Sequence, residues 1–536
     1  MSLKRWMPLR GWACPLMSIG CVLLAGTPAV GRQDAPAQPA EPSHTAPVVI
    51  DGDFSDWADL IPSSPNIFPT SDTTFADIGF VWTRADSQWL YLRFEMRRVL
   101  NLQGMDGTIT LRLDLDGNPD TGATLEGLSD KLTMGGVDVE LLFSPTGARG
   151  RPMGTSARIY RTDGSASSTM NPYLLKTSFA PTYATDSVEL RISRDGIEAG
   201  EGNPIARTIA VGSTGVQGQL FATDRTGMLV DHSDVFRFPS EDFEASSTGS
   251  PAALPFPTPS RAPGTRVRCI SWNVHRGELF KSPAAFARVL TALDPDVICF
   301  QELDFNATTD KLQQWLRQYL VDGDSWEARV SPNTGTGVAS RLSTVAVGPT
   351  VMPAVGTTNR SLRATSLLIG VPGSGLTPGR RIVFISTHMK CCGTAGDSSD
   401  LKRIEEGNLI HTLLRRIRYD ADPSGIVVMG DFNLVGSRAP LDAIMRAEDL
   451  DGSDLLDVAP NVLGDQINTT WRSSNEPFLP GRLDFALVSD STLPVLSSFV
   501  FDTHLLPTDL AAAMCVESDD TTQASDHLPI VVDLGW

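Results

Sequence analysis

The sequence predicts an α/β domain in the C-terminal half of the chain, preceded by an all-β domain. Residues 265–536 alternate apolar strand-like runs with amphipathic helical segments, whereas residues 47–240 contain short alternating runs between clusters of Gly, Asp, Asn and Pro. Two Pro-rich segments, residues 31–46 and 241–264, contain too few apolar residues to fold and are predicted to be linkers. We therefore expect the C-terminal domain to fold without the N-terminal one.

Composition and charge exclude several classes of protein. A chain of 536 residues is long enough for two folded domains. It is 41% hydrophobic and 20% charged, which excludes a wholly disordered or collagen-like protein. Its 44 Lys and Arg against 63 Asp and Glu give a net charge of −19, which disfavours a protein that coats nucleic acid through a basic surface. An enzyme that meets phosphate through bound metal ions is compatible with this charge.

Residues 1–30 are predicted to be a signal peptide. Basic residues among the first ten precede an apolar stretch, residues 11–26, that is too short to span a bilayer comfortably. An uncleaved membrane anchor is the alternative. We expect a monomeric protein that is secreted, periplasmic or at the cell surface and that keeps no transmembrane anchor after cleavage.

Five cysteines follow the targeting segment. Cys269 and Cys299 lie within apolar strand-like runs and are predicted to be buried free thiols. Cys391 and Cys392 are adjacent in the chain, and the sequence leaves open whether one of them pairs with Cys515.

The N-terminal domain has the pattern of a β-sandwich. Alternating runs at residues 89–96, 108–115 and 137–143 are separated by turn-forming clusters. The opening VVIDGDFSDWADL and the later WLYLRFE resemble the family 9 carbohydrate-binding-module-like sandwiches of secreted proteins. The resemblance implies an accessory domain that contacts a glycan, although the tryptophans in these segments also fit a core.

One loop of this domain carries a candidate calcium site. Asp114, Asp116, Asn118 and Asp120 place oxygen ligands at alternate positions, a spacing that suits structural Ca²⁺. Asp138 and Glu140 in a neighbouring strand could complete the ligand shell. The same residues also fit a turn with solvated carboxylates. The sequence leaves both interpretations open.

Strands and helices alternate through the C-terminal domain. The run Ser282-Pro283 is typical of a helix N-terminus, and Asp294-Pro295 ends that helix. A second helix is predicted over residues 400–418, with a buried face formed by Leu401, Ile404, Leu409, Leu413 and Ile417. The predicted strands are residues 267–274, 297–300, 382–386, 426–429, 483–488 and 528–532.

Polar residues occur where these apolar strands end. They are Asn273, Gln301, Glu302, His388, Asp431, Asn433, Asp484, Asp526 and His527. Any one of them has a structural explanation, since a strand-end Asp caps turns and a lone His is usually structural. Together they are hard to explain as independent accidents, because α/β proteins build their sites at the edges of sheets.

The order N, QE, H, GDFN, D and SDH resembles the endonuclease/exonuclease/phosphatase superfamily, and the resemblance covers essentially all of residues 265–536. Its most specific parts are GDFN at residues 430–433 and SDHLP at residues 525–529. The resemblance implies a four-layer α/β/β/α sandwich and hydrolysis of phosphoesters that depends on Mg²⁺ or Mn²⁺. His388 matches the branch that includes deoxyribonucleases and sphingomyelinases.

The resemblance also implies a set of metal ligands. Mg²⁺ prefers carboxylate and amide oxygens together with water, and it neutralises charge on phosphate during in-line attack. Glu302 and Asn273 are the first-choice ligands, and Asp526 either adds a ligand or supports the others.

The remaining strand-end residues receive catalytic roles from the resemblance. His527 would accept the proton of the attacking water or, when protonated, hold the phosphate, and Asp484 would fix its tautomer. Asp431 would orient the nucleophile, and Asn433 would donate to the transition-state oxygen. His388 would protonate the leaving alkoxide or bind phosphate.

Secondary candidates lie close to these residues in the chain. Arg341 and Arg363 fall in strands where family members keep an arginine, and phosphate contact and structural ion pairing are both open for them. His275 shares a strand face with the first of the strand-end residues. Residues 304–340 offer no obvious acidic partner for His388.

We expect an exported Mg²⁺-dependent phosphodiesterase, with nucleic acid as the favoured substrate. A phosphatase and a sphingomyelinase-like lipid hydrolase are the alternatives within the same fold. A catalytically idle surface-binding protein is the alternative from another class, and it would have no need of the full set of site residues. A nuclease is expected to present a basic rim and a lipid hydrolase an exposed aromatic hairpin, and the sequence indicates neither.

Overall fold

The structure is a computed structural model. It describes residues 48–65, 75–86, 88–125, 134–146, 153–161, 163–166, 171, 173, 176–194, 215–239, 256–349, 351–356, 360–375 and 378–536. The predicted signal peptide, the first predicted linker and residues 241–255 of the second lie outside these ranges. From Pro47 to Trp536 the chain forms one compact unit. No helix among the described residues is long and apolar enough to cross a membrane.

The N-terminal β region, defined here as the described residues between 48 and 239, consists mainly of strands. They are β1 (Ser64–Pro65), β2 (Phe80–Ala85), β3 (Trp89–Leu100), β4 (Gly107–Asp114), β5 (Ala123–Leu125), β6 (Met134–Val137), β7 (Val139–Phe143), β8 (Thr155–Ile159), β9 (Ser178–Ala180), β10 (Thr185–Ser193), β11 (Gln217–Asp224), β12 (Leu229–His232) and β13 (Phe236–Arg237).

These strands form two larger antiparallel sheets that share one apolar cluster. The first has the order β1-β2-β3-β10-β9, and the second has the order β12-β11-β4-β7-β8 with β13 paired to β11. Alternate residues of β3 and β4, such as Leu90, Phe94 and Leu111, are fully buried in the shared cluster. This period of two explains the alternating runs in the sequence, because successive side chains of a strand point to opposite faces.

The C-terminal region, residues 256–536, contains the remaining strands. They are β14 (Val267–Asn273), β15 (Val297–Gln301), β16 (Glu327–Val330), β17 (Gly337–Ser340), β18 (Ser343–Ala346), β19 (Ala364–Val371), β20 (Arg380–His388), β21 (Gly425–Asp431), β22 (Leu456–Asp457), β23 (Asp484–Val488), β24 (Val495–Val500) and β25 (Ile530–Leu534). Its helices are α1 (Glu278–Lys281), α2 (Pro283–Leu293), α3 (Thr309–Tyr319), α4 (Ser398–Ala421), α5 (Ala439–Met445), α6 (Thr508–Ala513) and α7 (Asp520–Ala524).

Two six-stranded sheets organise the C-terminal region. Their orders are β16-β17-β15-β14-β25-β24 and β18-β19-β20-β21-β23-β22. Strands β14 and β15 run parallel in the first sheet, as do β20 and β21 in the second. The carboxyl ends of each parallel pair therefore meet at one edge of their sheet, as predicted for an α/β domain.

Three apolar clusters hold the C-terminal region together. One contains side chains of both sheets, such as Cys269 and Phe384. The second joins the first sheet to α2 and α3, and the third joins the second sheet to α4 and α5. Cys269 and Ile270, neighbours on β14, belong to different clusters because they point to opposite faces of the strand. Both predicted buried thiols, Cys269 and Cys299, are buried and free.

The buried face of α4 matches the predicted one except near the start of the helix. Leu413 and Ile417 are buried as predicted, whereas Leu401 was expected in the core but is 60% exposed. Arg403 is fully buried near this end of the helix and donates to backbone carbonyls of the loop after β20. The hydrogen bonds of a buried polar residue thus replace the apolar pattern in the first turns.

The N-terminal β region and the C-terminal region share contacts that the sequence did not reveal. Leu479, which precedes β23, is 1% exposed and lies in the apolar cluster of the N-terminal sheets. Arg191 of β10 makes a bidentate ion pair with Asp465, at 2.5 and 2.6 Å. The Thr182 hydroxyl donates to the carbonyl of Arg482.

We predict that Leu479→Ala lowers the free energy of unfolding by about 2–5 kcal/mol, because it leaves a cavity in the N-terminal cluster. Leu401→Ala is the matched control, and its exposed side chain predicts a change below about 0.5 kcal/mol. Urea unfolding of both variants measures the difference. Equal stability of the two variants would contradict the shared cluster.

Candidate active site

The strand-end residues of the two central sheets converge on one place. Asn273 ends β14 and pairs in register with the last residue of β15, just before Glu302. In the second sheet His388 lies opposite Asp431, and Asp431 lies opposite Asp484. Side-chain contacts between Asn273 and Asp431 join the two sheets. The register of the strands therefore assembles the site.

Several site residues hold unusual backbone conformations. His275, Glu302 and Asn433 have positive φ values of 41°, 55° and 49°. A left-handed backbone costs about 1–2 kcal/mol for an ordinary residue, and such strain concentrates at functional sites. Gly430 has φ 150°, and a Cβ atom there would lie 1.9 Å from the carbonyl oxygen of Thr387. The glycine of GDFN is therefore required for β21 to pass close to β20.

His527 and Asp484 form a buried pair. The Nδ1 atom of His527 lies 2.7 Å from Oδ2 of Asp484, and both side chains are almost inaccessible to solvent. Burial alone would lower the pKa of His527, but the carboxylates of Asp484 and Asp431 outweigh it and raise the pKa to about 10. With Nδ1–H directed at Asp484, the Nε2 atom faces Asp431 at 3.9 Å.

Two further residues fix the backbone of His527. The Ser525 hydroxyl donates to the carbonyl of Asn273 at 2.7 Å and accepts the N–H of His527 at 3.1 Å. The indole N–H of Trp272 donates to the carbonyl of His527 at 3.0 Å. Sequence analysis missed both roles. Ser525 was visible in the SDHLP pattern, but a hydroxyl that joins two distant strands has no signature in the sequence.

His388 is held by an arginine. Nη1 of Arg363 lies 3.0 Å from Nδ1 of His388. The same Nη1 atom also lies 3.3 Å from Nε2, so a guanidinium that can only donate contacts both ring nitrogens. Burial, reinforced by the charge of Arg363, holds the pKa of His388 well below its usual value. The Nε2 atom also faces Asp431 at 3.5 Å and Glu302 at 3.6 Å.

Asp431 lies at the centre of these contacts. Its Oδ2 accepts the side-chain amides of Asn273 at 3.0 Å and Asn433 at 2.8 Å, and its Oδ1 accepts the backbone N–H of Asn433. Burial raises the pKa of Asp431 to about 8, with His527 opposing this shift and Asp484 adding to it. The carboxylate is thus oriented by amides and flanked by both histidines.

The cluster includes a donor set for a divalent cation. Ligand atoms of Glu302, His388 and Asp431 lie within 4.8 Å of one another. Oε2 of Glu302 accepts the backbone N–H of Arg276, while Oε1 faces His388. Carboxylate oxygens that are fixed but not saturated by hydrogen bonds suit Mg²⁺ or Mn²⁺. The residues present therefore fit the metal that the family resemblance implies.

Asp526 lies beside this donor set rather than within it. Its Oδ1 is 2.8 Å from Nδ1 of His275, and its Oδ2 accepts the indole N–H of Trp471. Burial raises the pKa of Asp526, but the hydrogen bond from His275 and the charge of His527 lower it to about 2 overall. The residue is a stable carboxylate at the edge of the site.

Arg341 does not join the cluster. It forms ion pairs with Asp294 at 2.6 Å and with Asp296 at 2.9 Å. These partners precede β15, so Arg341 lies at the opposite end of that strand from Glu302. Of the two arginine candidates, the structure brings Arg363 to the site.

The acidic loop of the N-terminal region is a network of turns. Oδ1 of Asp114 accepts the N–H of Gly117, Asp116 accepts the N–H of Asn118, and Asn118 accepts the N–H of Asp120. Ligand atoms of Asp114, Asp116 and Asp138 also lie within 4.8 Å of one another. The two interpretations made from the sequence, a turn and a calcium site, are both compatible with this geometry.

Comparison with known protein families finds a match for the C-terminal region. Residues 270–527 match the model of the Endonuclease/Exonuclease/phosphatase family. The C-terminal region is an endonuclease/exonuclease/phosphatase family domain. It is therefore a phosphoester hydrolase domain, and the match spans all the strand-end residues from Asn273 to His527. None of the curated proteins matches the chain in sequence.

Solved structures of several phosphoester hydrolases are similar to part of the chain. A 3′ phosphatase from Neisseria bound to a product DNA hairpin is 18% identical, with 50% of this chain and 100% of that chain covered and a TM-score of 0.34. An AP endonuclease from Leishmania major is 19% identical, with coverage of 52% and 89% and a TM-score of 0.35. A family member from Bacteroides vulgatus is 16% identical, with coverage of 50% and 98% and a TM-score of 0.33.

We predict that Asp484→Asn lowers the pKa of His527 in the metal-free chain. In the wild type the imidazole stays protonated to about pH 9, because its pKa lies near 10. Without the carboxylate, burial favours the neutral form and moves the titration toward neutral pH. Imidazole resonances followed by NMR measure both titrations. Glu448→Gln, which removes the carboxylate beside His411 instead, is the matched control and should leave the His527 titration unchanged. A His527 titration that Asp484→Asn leaves unchanged would contradict the pair.

Proposed function

We propose that the protein is an exported, Mg²⁺-dependent phosphodiesterase that cleaves nucleic acid. The observation that carries this proposal is the placement of two buried histidines, His527 and His388, on either side of a single buried carboxyl group, that of Asp431. A protonated donor, a neutral donor and a base are the groups that in-line hydrolysis of a phosphoester uses.

Each of these groups has a role that follows from its charge. His527 is protonated because of Asp484, so its Nε2–H holds a phosphate oxygen rather than accepting a proton. Asp431 in its ionised form orients the attacking water and takes its proton, and because its pKa is raised to about 8 we expect the rate to rise with pH toward that value. His388 is neutral, so its Nε2–H donates a hydrogen bond to the leaving oxygen while Arg363 keeps the ring in place.

Two asparagine side-chain amides orient the carboxylate of Asp431. Asn273 and Asn433 both donate to Asp431, which fixes the direction of its remaining lone pairs. A divalent ion held by Glu302 and Asp431 would neutralise charge on the phosphate when bound.

Exposed basic residues near the site favour a polyanionic substrate. Arg276 and Lys281 are exposed. The backbone N–H of Arg276 donates to Glu302, and the ammonium group of Lys281 donates to the carbonyl of Arg276. Lys390 is partly exposed on the loop after β20, two residues beyond His388. Positive charge on both sides of the cluster suits a strand with phosphates flanking the scissile one, despite the acidic chain.

The remaining parts of the proposal rest on sequence motifs. We propose export through the signal peptide at residues 1–30, and a glycan contact by the accessory domain at residues 47–240. Trp57 and Trp82 are buried there, so a glycan surface would use other residues. The three apolar clusters support a four-layer arrangement of the domain at residues 265–536.

We predict that the purified chain nicks supercoiled plasmid in Mg²⁺ and that chelator stops the reaction. Glu302→Gln should lower the rate at least about 100-fold, because an amide is a weaker ligand than a carboxylate. His411→Gln is the control, since His411 lies on α4 and contacts Glu448, outside the cluster. Nicking that resists chelator would contradict the metal site. If the chain instead releases phosphate from monoesters or hydrolyses sphingomyelin, and does not nick plasmid, the proposal of a nucleic-acid substrate is wrong. Phosphoester hydrolysis by this domain would still hold.

A further inference from the structure

Cys391 and Cys392 lie on the loop that leaves β20 just after the active site. Both are exposed and free, and Cys391 follows His388 by three residues. The Cys392 thiol donates to the Cys391 sulfur with the two Sγ atoms 3.0 Å apart. Nζ of Lys390 lies 3.4 Å from the Cys391 sulfur. Among the cysteines that the structure describes, the remaining exposed one is Cys515, which is distant in the chain.

The backbone around the pair is held by buried residues of α4. Nη1 of Arg403, which is fully buried, donates to the carbonyls of Lys390 at 2.8 Å and Cys392 at 2.7 Å. Oε2 of Glu406 accepts the N–H of Lys390 at 2.7 Å. Cys392 itself has a left-handed backbone, with φ 68°. The backbone on both sides of Cys391 is therefore held in place by buried side chains of α4.

The surroundings of Cys391 favour its thiolate. The hydrogen bond from Cys392 lowers the pKa of Cys391 to about 5 against the effect of burial, and the ammonium group of Lys390 acts in the same direction. A thiolate is the form of cysteine that attacks a disulfide, and access to solvent allows that attack.

We propose that Cys391 and Cys392 are a modification site, at which the two thiols close reversibly to a vicinal disulfide by exchange with a small disulfide such as oxidised glutathione. Closure requires the sulfurs to approach by only about 1 Å, to a bond length of about 2.05 Å. The Cα atoms of neighbouring residues are about 3.8 Å apart, less than the usual spacing in disulfides. Such a disulfide is strained, and strained exposed disulfides are readily reduced.

The exchange balances in two steps. The Cys391 thiolate attacks one sulfur of the small disulfide, forms a mixed disulfide and releases one thiolate. The Cys392 thiol then loses its proton and attacks the Cys391 sulfur, which breaks the mixed disulfide and releases the second thiolate. The protein loses two electrons and the protons of both thiols, and the small disulfide is reduced to two thiols.

The test uses the whole chain equilibrated in glutathione buffers from fully reduced to fully oxidised. Acid-quenched samples are alkylated and digested with trypsin, which releases residues 391–402 as one peptide that holds both cysteines and no other. The proposal predicts that this peptide carries two alkyl groups after reducing buffer, whereas after oxidising buffer it carries none and weighs two hydrogen atoms less than the unmodified dithiol. Cys515 should remain alkylated or carry a glutathione adduct.

Serine variants test the two steps separately. Cys392→Ser should stop at the mixed disulfide on Cys391, and Cys515→Ser should leave closure of the pair unchanged. Circular dichroism of each variant checks that it folds. A wild-type peptide that keeps both thiols free, keeps a stable glutathione adduct, or is linked to Cys515 in oxidising buffer would overturn the proposal.

Discussion

The buried carboxylate of Asp431 is the group on which the rest of the site depends. A charge removed from water is costly unless hydrogen bonds and opposite charges compensate it. Asn273 and Asn433 supply amide donors, and His527 supplies the opposite charge. Because Asp431 ends β21, its compensating groups must come from the ends of neighbouring strands in both sheets. These neighbours therefore offset part of the cost of burying Asp431, whose pKa nevertheless stays raised to about 8.

The two buried histidines, His527 and His388, differ in charge because different groups contact their rings. His527 has a carboxylate at its Nδ1, whereas His388 has a guanidinium at the same position. The carboxylate stabilises the protonated ring of His527, whereas the guanidinium disfavours protonation of His388. One active site thereby holds a charged donor and a neutral donor around a shared carboxylate.

The strands of the C-terminal region and most of the site residues could be predicted from the sequence. Strands that are buried on both faces appear as apolar runs, and the polar residues at their ends indicate the site. The start and end of α2 follow from Ser282-Pro283 and Asp294, as observed. Contacts between residues that are far apart in the chain could not be predicted from these patterns. Arg363 contacts His388 only because β19 pairs with β20, and Leu479 joins the N-terminal cluster through a long-range contact. The predicted burial of Leu401 on α4 was wrong, because Arg403 is buried in that part of the helix for its hydrogen bonds rather than its hydropathy.

Metal binding is the central claim, and anomalous diffraction from crystals grown in Mn²⁺ tests it most directly. The account predicts one strong peak within coordination distance of a carboxylate oxygen of Glu302 and close to Asp431, and no such peak in crystals of Glu302→Gln. A peak that persists at this position in the variant, or ordered wild-type crystals that bind Mn²⁺ only at the loop around Asp114, would contradict the account.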